Sequence, residues 1–273
     1  MTKEETMPVT RVALMLLLCI APPTSAGAQW VDFIPSGTPK SPNGRPDLQA
    51  PAPRTADGHV DLSGVWTAVA DRRDVPPGAS DIPRNQHAAN IGATTPGGAP
   101  VTEWAAGIRA ARQANQRRDL PTTRCLPSGI PPDMLRPTLP FKIVQASGIT
   151  AILLEEFNNW RQILTDGRSV PSISIAGSFG YSVGRWEGQT FVVNTVGLSD
   201  QTWLDSGGTP HSEDLRLTER YTRRDFGHME IEYTFDDPKA FTRVWSTRVS
   251  FELQAELELM DHQCEVNRAP NFR

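Results

Sequence analysis

The sequence predicts a mainly β fold: an antiparallel meander of about nine strands that closes as a β-barrel, with a β-sandwich as the second choice. Three observations predict it. Short apolar-alternating segments recur from residue 141 to 253, bounded by turn residues such as Ser147-Gly148, Asp166-Gly167, Glu187-Gly188 and Asp225-Phe226-Gly227. The links between them are mostly short, which makes successive strands antiparallel neighbours. A meander of that length must also close or fold over to protect its edges.

Taken in chain order, residues 1–28 read as a cleavable secretory leader. A polar start with Lys3 and Arg11 precedes an apolar run at 12–21, and a helix-breaking stretch ends in Ala26-Gly27-Ala28, the pattern a signal peptidase accepts. The apolar run falls well short of the roughly 20 residues that a bilayer span requires. Leu18, before Cys19, is not the small residue that lipid attachment there would need. The mature chain is therefore expected to begin near Gln29, to act in the periplasm or outside the cell, and to have no stable membrane insertion.

Residues 29–58 are rich in Pro, Gly and Ser and bury too little apolar surface to order alone, so they are expected to form an arm draped over the domain. Residues 59–273 then form a single β-rich domain. Its first strand lies within 59–70, followed by an irregular insertion at 71–140. Inside that insertion, 102–120 reads as a surface helix: Thr102 can cap it, and Trp104, Ile108, Ala111 and Asn115 make a narrow stripe. The proline-rich stretch 121–140 is an irregular crossing. The remaining strands are expected at 141–146, 150–157, 160–164, 181–186, 191–196, 215–224, 228–236 and 243–253.

One hairpin can be read residue by residue. Placing Arg224 opposite His228 across the loop Asp225-Phe226-Gly227 puts Arg220 opposite Glu232 and Arg216 opposite Asp236. The other face then pairs Leu217 with Phe235, Glu219 with Tyr233 and Tyr221 with Ile231. One face is a ladder of opposite charges and the other is apolar except for Glu219, so a one-residue slip would exchange them. Gly227 is expected to supply the left-handed position of the loop.

A net charge of −4 gives no general basic surface for nucleic acid, and the arginine clusters at 109–118 and 216–224 read as solvated faces. Once the leader is removed, Cys125 and Cys264 remain, and two cysteines in an oxidising compartment are expected to pair. Neither adjoins a histidine in a catalytic arrangement, and their spacing does not suit a metal, so no metal and no cofactor are expected.

Several blocks resemble a family of exported bacterial proteins that carries no assigned activity: Tyr181-Ser182-Val183-Gly184-Arg185-Trp186-Glu187-Gly188-Gln189-Thr190, Trp203-Leu204-Asp205, His211-Ser212-Glu213 and Thr218-Glu219-Arg220. Asp61-Leu62-Ser63-Gly64-Val65-Trp66 and Ile163-Leu164-Thr165-Asp166-Gly167-Arg168 belong to the same resemblance. Gly64-Val65-Trp66 is also similar to the G-x-W of lipocalin-like barrels, which implies a Trp closing one end of the barrel.

The candidates for chemistry lie mainly in the loop 203–213. Asp205, His211 and Glu213 could form an acid–base group, with a carboxylate orienting the imidazole. Glu219, among Leu215, Leu217 and Tyr221, must pair or stay neutral if buried. It either meets a ligand inside the barrel or forms a structural pair with an arginine such as Arg161 or Arg185. Glu155-Glu156 is expected on a strand, where the two carboxylates would point to opposite faces and could not act together. The motifs of serine hydrolases, zinc proteases and nucleotide-binding loops are missing.

Two functions follow. As a binding protein, the barrel would hold a small apolar or aromatic molecule, with Trp203, Tyr181 and Tyr233 for contact and Glu219, Arg161 or Arg185 for orientation. As an enzyme, the same pocket would perform cofactor-free proton transfer, as a lyase, isomerase or hydrolase, with His211 as base.

Overall fold

The computed structural model describes residues 34–70, 84–172 and 176–264; the stretch read as a leader, 1–28, and part of the insertion, 71–83, lie outside the described residues. Nine strands close into a barrel in chain order. They are β1 (Gly64–Ala68), β2 (Phe141–Ala146), β3 (Ile149–Leu154), β4 (Asn159–Leu164), β5 (Tyr181–Glu187), β6 (Thr190–Val196), β7 (Arg216–Arg223), β8 (His228–Asp236) and β9 (Trp245–Leu253). The ring closes where β1 pairs with β9, Trp66 opposite Leu253.

The expected uniform antiparallel order fails at one place. β4 and β5 run parallel, through Ile163 opposite Ser182 and Leu164 opposite Val183. Parity requires such a break, because a closed ring with an odd number of strands cannot alternate direction throughout. The long segment between Leu164 and Tyr181 carries the chain back to the starting end before β5 begins.

Side chains alternate across each strand, and the inward set fills the barrel. Trp66, Phe141, Phe191, Phe235 and Phe251 are buried there. Phe141 meets Phe251 edge to face at 5.5 Å, and Phe235 stacks on Trp245 at 4.7 Å. Gly184 has no side chain because the Phe191 ring and Ile163 occupy that space. Trp66 donates its indole N–H to the Leu62 carbonyl at 3.0 Å, and the Arg223 guanidinium lies 4.9 Å from its ring centre.

The β7–β8 hairpin has the register read from the sequence, including Arg220 opposite Glu232, Arg216 opposite Asp236 and Glu219 opposite Tyr233. Its charges nevertheless look outward to other strands. Arg220 pairs with Glu187 on β5 at 2.8 Å, and Glu232 pairs with Arg248 on β9 at 2.7 Å. Gly227 is not left-handed, contrary to the expectation for this loop; its missing Cβ makes room for Leu48 of the N-terminal arm. The arm lies against the hairpin, the Phe226 and Gly227 amides donating to the carbonyls of Ala50 and Leu48 at 2.7 Å each.

Among its described residues the insertion holds two α-helices, α1 (Gln86–Ala89) and α2 (Glu103–Ala114). Thr102 caps α2, its hydroxyl accepting the Ala105 N–H at 3.3 Å. Of α2 only Ala105 is buried, so it is the expected surface helix. It ends before residue 120, because Gln116 and Arg117 take left-handed backbone, φ 54° and 55°. No helix among the described residues is long and apolar enough to cross a membrane. Cys125, just beyond a short 3-10 turn, is bonded to Cys264 with 5.6 Å between Cα atoms, tying the C-terminal segment to the proline-rich crossing.

Candidate functional site

Four groups of polar or apolar residues merit attention, and the barrel interior holds the first. Glu219 is fully buried, and Arg161 reaches it from β4 with two nitrogens, Nη1 at 3.1 Å from Oε1 and Nη2 on Oε2. The Tyr221 hydroxyl donates to Oε1 at 2.9 Å. Arg161 also donates to Ser182 at 3.1 Å and to Thr195 at 2.7 Å, so the guanidinium fork is met on every side. Burial opposes its charge, and the facing Glu219 more than offsets that, leaving Arg161 above its ordinary value. Of the two sequence alternatives for Glu219, the arginine pair is the one found, and Arg161 rather than Arg185 is the partner. Tyr233 sits opposite Glu219 with its hydroxyl buried and without a partner among the described residues. Burial pushes both Tyr221 and Tyr233 well above the ordinary phenol range. This is a closed polar knot in the lumen.

The second group is the loop 203–213, whose members do not converge. His211 is 2% exposed. Its Nδ1 lies 2.9 Å from the Ser212 carbonyl and its Nε2 2.8 Å from the Thr202 hydroxyl. Asp205 bonds elsewhere: it accepts the Ile91 N–H at 2.9 Å, and the Thr209 N–H and hydroxyl at 3.0 and 2.7 Å. It thereby fastens the insertion to the loop. Glu213 is exposed. Burial lowers the His211 pKa, which keeps the imidazole neutral, and no carboxylate is hydrogen-bonded to it among the described residues. Trp203 is buried beneath Arg112, whose guanidinium lies 4.3 Å from the ring centre. Tyr181 accepts from Arg168 at 3.1 Å, and Arg185 is an exposed partner of Glu187 at 2.6 Å; neither joins the interior knot.

A third group was not legible beforehand. Asp133, on a 3-10 turn, accepts the Ser128 and Gly129 amides at 3.1 Å each. It lies close to Glu156, whose Oε1 holds Arg136 at 2.5 Å and whose Oε2 is buried without a partner among the described residues. β3 stops at Leu154, so Glu155-Glu156 lies in a turn rather than on a strand, and Glu156 folds inward. Burial and then the facing Glu156 carboxylate raise Asp133 well above the carboxylate range. Two buried carboxyl groups in contact can hold one proton between them.

The fourth group lines a cleft of about 290 Å³ between the N-terminal arm, the start of β1 and the end of β9. Pro35 and Pro53 come from the arm, Val65 and Leu253 from β1 and β9, Phe226 from the hairpin loop and Leu257 from the C-terminal segment. Arg223 also faces it. Its hydrogen bonds go to carbonyls, those of Asp61 at 2.6 Å and Asp225 at 3.2 Å among them, and no carboxylate pairs with it among the described residues. Burial pushes Arg223 down to about 10, still charged at neutral pH.

No group of three or more His, Cys, Asp or Glu side chains among the described residues is placed to hold a metal ion. Comparison with protein-family models, with curated proteins and with solved structures finds no match.

Proposed function

We propose that this chain is an exported barrel protein, akin to the bacterial family its sequence blocks resemble, that binds a small apolar or aromatic molecule in the cleft beside Arg223. The observation that carries this reading is the cleft itself: apolar side chains from five separate parts of the chain beside one guanidinium that no carboxylate pairs with among the described residues. Ligand sites are typically apolar concavities with a few oriented polar groups. Arg223 would attract the π face or the partial negative end of the ligand. The lumen is a poorer host, since aromatic side chains and the Arg161–Glu219 knot fill it.

The uncharged aromatic probe N-phenyl-1-naphthylamine should bind saturably, with a rise in fluorescence. Ala255→Trp, which fills the cleft from a half-buried position, should remove that binding and leave the thermal midpoint almost unchanged. Equal binding by the variant would place the probe elsewhere and overturn the assignment. Export is tested separately by expressing the chain with its leader in a bacterium. Intact-mass analysis of the periplasmic fraction should show an N-terminus near Gln29, and a chain retained in the cytoplasm with its leader would count against it.

A further inference from the structure

Beside the Asp133–Glu156 pair a second cleft, of about 260 Å³, opens on the insertion side of the molecule. Ser128 and Arg136 line it, together with the apolar side chains of Ala88, Leu120 and Pro132. Ser128 is only 3% exposed, yet its hydroxyl has no hydrogen-bond partner among the described residues. A buried hydroxyl normally finds a partner within the protein or in a bound molecule. Arg136 is similarly underused: Glu156 takes Nη1, and Nε and Nη2 have no partner among the described residues. A guanidinium offers five N–H donors in a plane, a geometry matched to carboxylate oxygens.

We propose that this cleft is a second ligand site, for a small monocarboxylate with an apolar body. One carboxylate oxygen takes the free edge of Arg136, the Ser128 hydroxyl donates to the carboxylate, and the body packs on Leu120 and Pro132. The backbone is prepared for this. Asp133 binds the Ser128 and Gly129 amides, which fixes the Ser128 side chain at the cleft wall. Glu156 takes Nη1 and so orients the guanidinium, whose Nε and Nη2 have no partner among the described residues. A neutral molecule of the same shape would gain only the apolar contact and one ordinary hydrogen bond.

Benzoate is the probe, with benzamide as its neutral counterpart. In isothermal titration of the purified chain, benzoate should bind at one site and benzamide at least tenfold more weakly. Ser128→Ala deletes an atom that bonds to nothing among the described residues, so it should keep the wild-type thermal midpoint. A hydrogen bond to a charged group is worth roughly a tenfold change or more in affinity, so the same variant should weaken benzoate by that factor. Ser206→Trp, at the mouth of the cleft, should remove binding, whereas Ala255→Trp in the other cleft should leave it intact. Absence of saturable benzoate binding, equal affinity for benzamide, or an unchanged affinity in Ser128→Ala would each overturn the proposal. Loss of benzoate binding in Ala255→Trp would also overturn it and assign the molecule to the cleft beside Arg223.

Discussion

At the scale of single residues, burial separates what stabilises from what can react. Glu219 and His211 stand out in the sequence as polar groups among apolar neighbours, and both are buried with their partners supplied by the protein itself. A buried ion pair owes its worth to completeness, because desolvation of the two charges consumes most of their attraction. Glu219→Leu leaves the Arg161 charge alone in the lumen and should lower stability by about 3–5 kcal/mol in urea denaturation. The double variant Arg161→Met, Glu219→Leu removes both charges and should be more stable than that single variant. A double variant that loses as much as the two single changes together would show that the two side chains are not coupled and would overturn this account. Ser128 and Arg136 are the opposite case, with donors that have no partner among the described residues.

At the scale of elements, legibility follows periodicity. The β7–β8 register could be read because Arg216 and Arg220 alternate with Leu217, Glu219 and Tyr221, and only one pairing keeps both faces consistent. The ion-pair partners could not, since a side chain on an outer face touches strands on both sides and the sequence does not rank them. β4–β5 was missed for a related reason: a parallel partner is reached through a long connection whose residues carry no strand pattern. The Asp133 site was hidden twice over. Its residues lie in a proline-rich tract without periodicity, and the sequence pattern extends a strand through Glu156 that ends two residues earlier, at Leu154. Phe157 and Asn158, both left-handed at φ 59° and 54°, make the turn that brings Glu156 inward. An Asp shortly after Ser128-Gly129 was the one available signal, since such side chains commonly bind nearby backbone amides.

At the scale of the whole molecule, the barrel is closed by β1 on β9, and the Cys125–Cys264 bond fastens the chain beyond that closure. The bond spans 139 residues of sequence. In the chain-entropy picture, a loop of that size is worth at most about 5 kcal/mol, because it restricts the unfolded chain. The hydrogen bonds that hold this segment are exposed, among them the Met260 amide on the Glu155 carboxylate at 2.9 Å, the His262 amide on Asn158 at 3.3 Å and the Asn158 side-chain amide on Asp261, with the His262 ring stacked on Phe157 at 5.6 Å. Without the bond that segment should lift from the folded barrel and gain freedom, which offsets part of the loss. The Cys125→Ser, Cys264→Ser variant is therefore expected to lose clearly less than about 5 kcal/mol in urea denaturation. In hydrogen exchange, the Met260 and His262 amides should lose protection while the β7–β8 ladder keeps its own. A full loss with both amides still protected would mean that the segment stays docked by its own contacts, and the bond would then act on the unfolded chain alone.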